Sequence, residues 1–305
     1  MCIRDSPRAE AIRVILSEFS RIMDHIICVS TNVVDLGAIT PYFIMFRARE
    51  DIYELLEACC GARLTVSYVR IGGLAQDVPD DFEARCRKAL ASVQEVWKAA
   101  HELLTRNVII MKRFKDVGVM SRDDALSWGW TGPCLRGSGV DYDVRKDHPY
   151  SGYESYDFDV PVGTAGDCFD RYLVRMEEMR QSVRIIEQAL ANLPTGPVIT
   201  DDKRVALPPK SDVYSNIEAL MNHFKLVYEG ILPPAGESYG YTEGANGELG
   251  YYIVSDGRKH PWRVKVRPPC YNIYQAFPYM IRGEMLADAI ATIGGLNVIA
   301  GELDR

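Results

Sequence analysis

The cysteines and histidines of this chain are the side chains most able to bind a metal or act as a nucleophile. None of the eight cysteines forms a C-x-x-C pair. Cys59 and Cys60 are adjacent, which is poor geometry for two ligands of one tetrahedral metal ion. The five histidines are scattered and form no H-E-x-x-H motif. These residues predict no metal held by this chain, and buried free thiols in a reduced compartment.

The motifs of self-contained catalysis are also absent from the sequence. It contains no G-x-G-x-x-G, no G-x-x-x-x-G-K-[ST] and no G-x-S-x-G. The formal net charge of −7 argues against a nucleic-acid partner. No run of 18 apolar residues occurs, so the sequence predicts no membrane span. The chain is therefore not expected to be catalytic alone.

Asp35 is the acid with the most unusual surroundings, because it follows two valines in the stretch VVDLGAIT. A buried carboxylate at this position must be hydrogen-bonded or have a shifted pKa. A carboxylate on the last residue of a helix can instead face water. The spacing of neighbouring residues does not separate these two alternatives.

Helical periodicity dominates the elements that must position such residues. The spacing of apolar side chains predicts helices over residues 7–34, 41–60, 79–106, 166–192 and 211–228, and Ser121 is suited to cap a short helix. Residues 129–166 show no periodicity, and so long an irregular segment is usually functional or part of an interface. Alternating residues after Pro234, with Asn246-Gly247 and Asp256-Gly257, predict β-hairpins. The fold class is mainly α, with a helical core over 7–230 and a small antiparallel β region with short helices over 235–305.

The helix that begins near Gly166 is unusually charged. Arg171 and Arg175 lie one turn apart, as do Arg180 and Arg184, and like charges at this spacing repel on an isolated helix. The helix either presents a solvated charged face or places its arginines against acids from elsewhere in the fold or from another subunit.

Seven segments of the sequence, in order, resemble the D-subunit family of respiratory complex I. They span residues 7–305 and read AIRVILSEFSRIMDHI, VVDLGAITPYFIMFRARED, GARLTVSYVRIGGLAQDVP, LRGSGVDYDVRK, FDVPVGTAGDCFDRYLVRMEEMRQS, GELGYYIVSDGRKHPWRVKVRPP and MLADAIATIGGLNVIAGELDR. The family is itself similar to the large subunit of nickel–iron hydrogenases. The resemblance therefore implies a hydrogenase large-subunit-like helical core.

The resemblance also implies a function in a proton-pumping NADH:quinone oxidoreductase. The D subunit forms the quinone-reduction chamber against a small subunit that carries the terminal iron–sulfur cluster. An adjacent peripheral-arm subunit and a membrane-embedded quinone-channel subunit are its other implied partners. Quinone is the substrate, and the D subunit holds no cofactor itself. Such a protein lies on the cytoplasmic face of a bacterial inner membrane, or on the matrix side in mitochondria.

Three residues of the candidate site follow from the matched motifs. Asp35 matches the acid that hydrogen-bonds a histidine at the quinone headgroup. Arg63 and Thr65 lie in the motif GAR-x-H near the partner's cluster, where Thr65 replaces the histidine of many members. The family carries the headgroup histidine and a tyrosine ahead of the matched region. The chain is therefore interpreted as N-terminally truncated, with residues 1–6 a non-native segment before the domain over residues 7–305.

Two alternatives to this function stay open in the sequence. A related membrane-bound hydrogenase or ferredoxin-linked oxidoreductase is the first, although the segment Asn297–Glu302, where hydrogenases carry their second C-x-x-C, has no cysteine. The second is a non-catalytic scaffold that binds the small subunit.

Overall fold

The structure, a computed structural model, describes residues 6–304. Most of its elements are helices, and two small antiparallel sheets complete the fold. The helices are α1 (Pro7–Asp35), α2 (Ile39–Cys60), α3 (Phe82–Ala100), α4 (Val108–Phe114), α5 (Arg122–Ser127), α6 (Gly132–Gly137), α7 (Val144–Asp147), α8 (Cys168–Ala191), α9 (Lys210–Ser215), α10 (Ile217–Tyr228), α11 (Pro269–Gln275), α12 (Phe277–Met280), α13 (Leu286–Leu296) and α14 (Ala300–Leu303). The strands are β1 (Val69–Arg70), β2 (Gly73–Leu74), β3 (Gly236–Gly244), β4 (Gly247–Ser255) and β5 (Arg263–Arg267).

The four longest helices build the main hydrophobic core. Helix α1 contacts α2, α8 and α13, and α3 packs against α2 and α8. Phe19 of α1, Ile52 of α2 and Met179 of α8 are at most 1% exposed in one shared cluster. Burying such a side chain contributes about 1.5–3 kcal/mol, so this cluster is the main apolar stabilisation of the fold. The predicted fold class, mainly α with a small antiparallel sheet near the C-terminus, is confirmed.

Local sequence signals explain where the long helices begin and end. The Ser6 hydroxyl accepts a hydrogen bond from the Ala9 amide at 3.1 Å and caps α1, with Pro7 in the first turn. The rest of the predicted non-native segment, residues 1–5, lies outside the described residues. Gly61 ends α2 with φ +76°, a left-handed conformation that glycine adopts without a steric penalty. The third predicted helix is found as α3 extended by a π-helical stretch, His101–Thr105.

The C-terminal sheet has the strand order β3–β4–β5, and both of its strand pairs are antiparallel. Gly244 pairs with Gly247, so the tight turn consists of Ala245 and Asn246, one residue earlier than Asn246-Gly247 predicts. This turn rests on the start of α6, because the Glu248 amide donates to the Thr131 hydroxyl at 3.1 Å. The hairpin is thereby fixed to the segment that the sequence predicts to be irregular.

Residues 129–166 are more ordered than their sequence suggests. They contain α6, α7 and a 3-10 turn, Tyr153–Ser155. Trp130 and Leu135 are 2% exposed in a second hydrophobic cluster with α11, α12 and α13. The segment has no periodic pattern because its helices are only four to six residues long.

The arginines of α8 have several kinds of partner. Arg171 donates to the carbonyls of Gly166 and Gly118, at 2.9 and 2.6 Å, and Arg175 donates to the Gly295 carbonyl at 2.7 Å. Neither alternative that the sequence left open holds for these two arginines, because both are buried and both donate to carbonyls. These carbonyls can accept because they lie in loops or in the last turn of a helix, as that of Gly295 does in α13, where they have no donor within a helix.

Farther along α8, Arg180 and Arg184 follow the two alternatives that the sequence left open. Arg180 is exposed and pairs with Glu177 on the same helix. Arg184 pairs with Asp157 and Asp159, which are acids from the preceding segment.

Helix α10 lies at the surface of the molecule. None of its residues is buried, and neither is any residue of α9. The two helices replace the single predicted helix 211–228, because Asn216 adopts an extended conformation and caps α10 by accepting from the Glu218 amide at 2.8 Å. The exposed apolar side chains of α10 follow helical spacing: Ile217, Leu220, Met221, Phe224, Val227 and Tyr228.

Gly132→Ala is expected to destabilise the protein more than Gly61→Ala, although both glycines have a similar positive φ (+68° and +76°). A Cβ at Gly132 would lie 2.4 Å from the Gly247 Cα, whereas a Cβ at Gly61 meets nothing within 4 Å. Gly61→Ala therefore measures the backbone penalty alone, about 1–2 kcal/mol. Gly132→Ala should lower the unfolding free energy by about 1–3 kcal/mol more, the usual effect of overpacking. Urea unfolding of both variants tests this, and equal losses would show that the hairpin turn does not rest on α6.

Candidate functional site

Eight ionisable side chains from five elements meet inside the protein. None of them is more than 4% exposed. We call this group the buried ion cluster; its members are Glu18, Arg21 and His25 of α1, Arg136 of α6, Asp143 and Arg145 at α7, Glu178 of α8 and Glu243 of β3.

Glu18 and Arg145 form the first half of the cluster. Arg145 Nη1 lies 3.1 Å from both carboxylate oxygens of Glu18, and its Nη2 donates to Asp143 Oδ2 at 2.7 Å. Glu18 also accepts hydrogen bonds from the hydroxyls of Tyr153 and Ser182, each at 2.6 Å. Burial alone would raise the pKa of Glu18, but the charges of Arg145 and Arg21 outweigh it and lower that pKa. Glu18 is therefore an ionised carboxylate whose bonds connect α1, α7 and α8.

Arg136 joins two acids in the second half of the cluster. Its Nε donates to Glu178 Oε1 at 2.9 Å, and its Nη1 donates to Glu243 Oε1 at 3.0 Å. The other oxygen of Glu178 lies 2.8 Å from His25 Nε2. Burial opposes ionisation of Glu178, but Arg136 and His25 outweigh it and lower the pKa of this carboxyl. The pKa of Glu243 is instead raised. Burial and the negative charge of Asp143 both raise this pKa, and together they outweigh the attraction of Arg136, which lowers it.

A cleft of about 320 Å³ connects the cluster to the surface. Arg21, Asp24 and Glu243 line it together with the β3–β4 turn and the C-terminal residues Ile299 and Glu302. Arg21 lies between the cluster and this cleft. It donates to the carbonyls of Glu243 and Gly244 at 2.8 and 2.9 Å. The arrangement can hold charge in fixed positions and offers a polar opening beside it.

Asp35 lies apart from the cluster. It is the last residue of α1 and is exposed, so in this chain the water-facing alternative is the one found. The next residues on this surface are apolar and exposed: Ile39 is 57% and Phe43 is 65% accessible in the first turns of α2. The carboxylate of Asp35 is therefore placed beside an uncovered apolar surface.

Arg63 and Thr65 lie on the loop that follows α2. Arg63 pairs with Glu50 and with Glu57, the latter at 3.7 Å, and its guanidinium lies 5.1 Å from the ring centre of Tyr53. Thr65 is exposed and adopts φ +54°, an unusual conformation for a β-branched residue. Its hydroxyl donates to the Leu64 carbonyl at 2.7 Å.

The three predicted site residues are not brought together within this chain. The 22 residues of α2 separate Asp35 from the Arg63–Thr65 loop, which corresponds to about 33 Å of helix at 1.5 Å per residue. Helices α1 and α2 form a hairpin, and the loop after α2 lies beside Leu16 and Ser17 in the first half of α1. A site that includes all three residues would have to extend along the whole hairpin.

Sequence reasoning missed the buried ion cluster. One signal was present, because Glu18, Arg21 and His25 are spaced three and four residues apart on the core face of α1. Ionisable residues at core positions must find partners, so this spacing indicates a polar interaction inside the fold. No comparable signal exists for Arg136, Asp143 or Arg145, which lie in the segment without periodicity.

Comparison with known proteins gives the family. The sequence profile described as "Respiratory-chain NADH dehydrogenase, 49 Kd subunit" matches residues 35–305. The chain belongs to this family. It is 50% identical over 304 residues to the D subunit of the NADH-quinone oxidoreductase of Leptospira biflexa, covering 100% of this chain and 75% of that protein.

The relatives differ in how much of their own length this chain spans. It is 57% identical over 302 residues to the C/D subunit of the NADH-quinone oxidoreductase of Bdellovibrio bacteriovorus, covering 98% of this chain and 53% of that protein. It is 49% identical to the D subunit of the Myxococcus xanthus enzyme over 98% of this chain and 72% of the relative. The chain thus spans about half of the C/D relative and about three quarters of the other two.

Metal-binding groups and membrane-spanning helices are not found in the part of the chain that the structure describes. Among residues 6–304, no group of three or more histidine, cysteine, aspartate or glutamate side chains is placed to bind a metal ion. Within the same residues, no helix is both long and apolar enough to cross a membrane.

Arg145→Met is expected to lower the unfolding free energy by about 3–5 kcal/mol, because it leaves the buried Glu18 and Asp143 without a counter-charge. Arg180→Met makes the same change at an exposed ion pair and should cost about 0–1 kcal/mol. Chemical unfolding at pH 7 compares the two. Similar losses in both variants would contradict the conclusion that the cluster is shielded from water.

Proposed function

We propose that this chain forms the quinone-reduction chamber of an NADH:quinone oxidoreductase, together with a small subunit that carries the terminal iron–sulfur cluster. The observation that carries the proposal is the family match over residues 35–305, which includes both segments with candidate site residues. The relatives above, named as subunits of NADH-quinone oxidoreductases, support the reaction class. Electrons pass from the partner's cluster to quinone, and protons complete its reduction to quinol.

The exposed surfaces around the candidate residues support a role at subunit interfaces. Beside Asp35 lie Ile39 and Phe43, and around Thr65 the apolar residues Leu64 and Val66 are 60% and 43% exposed. Apolar surface of this kind marks interaction sites in soluble proteins. The iron–sulfur small subunit would cover the Arg63–Thr65 loop, and a segment with the headgroup histidine would approach Asp35.

The remaining partners and the location follow from the same proposal. An adjacent peripheral-arm subunit and a membrane-embedded quinone-channel subunit would complete the surroundings of this chain. The protein would then be peripheral to a bacterial inner membrane on its cytoplasmic face, or on the matrix side in mitochondria. The name of the Bdellovibrio relative, which combines C and D in one chain, supports a close peripheral-arm neighbour.

Asp35→Asn, in the assembled oxidoreductase, is expected to lower the rate of quinone reduction about tenfold or more. This is less than the roughly 10²–10⁴-fold contribution of a direct general acid or base, because Asp35 acts through the histidine. The amide keeps the shape but loses the charge that favours a protonated histidine. Asp123→Asn, at an exposed acid of α5, is the matched control and should have no effect. NADH oxidation by ferricyanide reports assembly independently of quinone. Unchanged quinone reduction by assembled Asp35→Asn would exclude Asp35 from the reaction.

The loop threonine leads to a prediction about the partner's cluster. The Thr65 hydroxyl does not titrate near neutral pH, whereas a histidine at this position would take up a proton on cluster reduction. The cluster's potential should therefore be nearly independent of pH between about 6 and 8, where a free histidine titrates. Thr65→His should introduce a slope of up to about 59 mV per pH unit.

Redox titration of the cluster by EPR at several pH values measures this slope. Thr65→Asn is the matched control, because asparagine tolerates the positive φ of this position but carries no titrating group. A steep slope in the unmodified complex would mean that another group titrates there. A flat slope in Thr65→His would mean that residue 65 does not face the cluster.

A further inference from the structure

His25 is completely buried, yet only one of its ring nitrogens is satisfied. Nε2 lies 2.8 Å from Glu178 Oε2. Nδ1 has no hydrogen-bond partner among residues 6–304, and the nearest acid, Asp24, has its Oδ2 at 3.7 Å. A buried polar atom without a partner is costly, so this nitrogen requires an explanation.

Asp24 lies between this nitrogen and the cleft. Its side chain is 21% exposed and lines the cleft of about 320 Å³. The amide of Asn297 donates to Asp24 Oδ2 at 2.8 Å and also lies 2.5 Å from Asn246 Oδ1. This carboxylate oxygen is therefore fixed at a position that both His25 and water in the cleft can reach.

The charges around His25 are unbalanced when its ring is neutral. They come from α1, α6, α7, α8 and β3, the elements that contribute to the cluster. Five carboxylates, of Glu18, Asp24, Asp143, Glu178 and Glu243, face four guanidinium groups, of Arg21, Arg136, Arg145 and Arg175. Asp24 is the one partly exposed member of this set, and the other eight groups are buried, four of each sign. The excess negative charge therefore lies at Asp24, on the Nδ1 side of the ring, where one more proton on His25 would offset it.

Few groups besides His25 could take up this proton. Burial raises the pKa of Cys28 to about 12 and that of Tyr150 to about 12, so both are already protonated at neutral pH. Arg136 and His25 keep Glu178 ionised. Glu243 is the one competitor, because its pKa is raised by burial. Glu243 already accepts from Arg136 and from the Val144 amide, whereas Nδ1 of His25 has no bond to lose.

We propose that His25 is a proton-exchange site, in which a doubly protonated ring balances the Asp24 carboxylate and exchanges its Nδ1 proton with water in the cleft through Asp24. In the exchange, the Nδ1–H bond breaks and an O–H bond forms on Asp24. The proton then passes from Asp24 to water in the cleft. A proton from this water returns by the same route and restores the Nδ1–H bond. No oxidation or reduction is involved. A charged ligand entering the cleft would shift this balance, so the site couples occupation of the cleft to uptake or release of one proton.

The experiment is ¹⁵N-histidine NMR of the full chain across pH 6–9. We expect one of the five histidine signals to show the imidazolium pattern at pH 7.5. His25→Gln should remove that signal. Because His25→Gln could unfold the chain, the signal is also assigned by replacing each of the other four histidines, which are exposed or half-buried. A neutral His25 at pH 7.5, protonated on Nε2 alone, would overturn the proposal.

A matched pair of acid variants tests the role of Asp24. Asp24→Asn removes one negative charge and the proton acceptor, so the imidazolium population of His25 at pH 7.5 should fall severalfold. Asp77→Asn removes a distant exposed acid that pairs with Arg8 and should leave the signal unchanged. An unchanged His25 signal in Asp24→Asn would exclude the exchange route. Because these readouts need no quinone, the proposal can fail while the proposed quinone reduction stands, and the reverse also holds.

Discussion

Charge balance without water is the constraint on which the arrangement of this protein depends. Two arginines of the buried ion cluster bind acids on other elements: Arg145 binds Glu18 of α1, and Arg136 binds Glu178 of α8 and Glu243 of β3. The third, Arg21, pairs with Glu18 on its own helix. A buried ion without its partner is far less stable than one in water. The helices and the hairpin must therefore come together in one arrangement, and a shift of any one of them would leave a charge unpaired.

This constraint also explains why residues 129–166 can be irregular and still ordered. The segment has too few apolar positions in any repeating pattern to dock as a helix or strand. It is held largely by side chains that end on other elements, as Arg136 and Arg145 do. Its neighbouring glycines allow close backbone contacts, and Gly132 lies against the β3–β4 turn. Ionic contacts thus replace periodicity in specifying the structure of this part.

The sequence predicted those features that depend on neighbouring residues. Helices α1, α2, α3 and α8 follow from apolar spacing, and the C-terminal hairpin follows from its turn residues. The interior charges were not predictable, because the bonded pairs Glu18–Arg145 and His25–Glu178 are 127 and 153 residues apart in sequence. For the same reason, nothing in α8 indicates that Arg175 ends on a carbonyl of α13. The family resemblance supplied Asp35, Arg63 and Thr65, but only the structure shows that α2 separates them.

The uncovered helices α9 and α10 have a consequence for how stability is distributed in this molecule. Neither helix has a buried residue, and α10 has only 12 residues, too few to be stable alone in water. Their backbone amides should therefore exchange hydrogen through local opening, at a free energy far below that of global unfolding. The amides of α1 and α8, whose opening would separate buried ions, should belong to the slowest-exchanging part. We therefore expect two cooperative units, of which the weaker would gain stability from a partner that covers its apolar stripe.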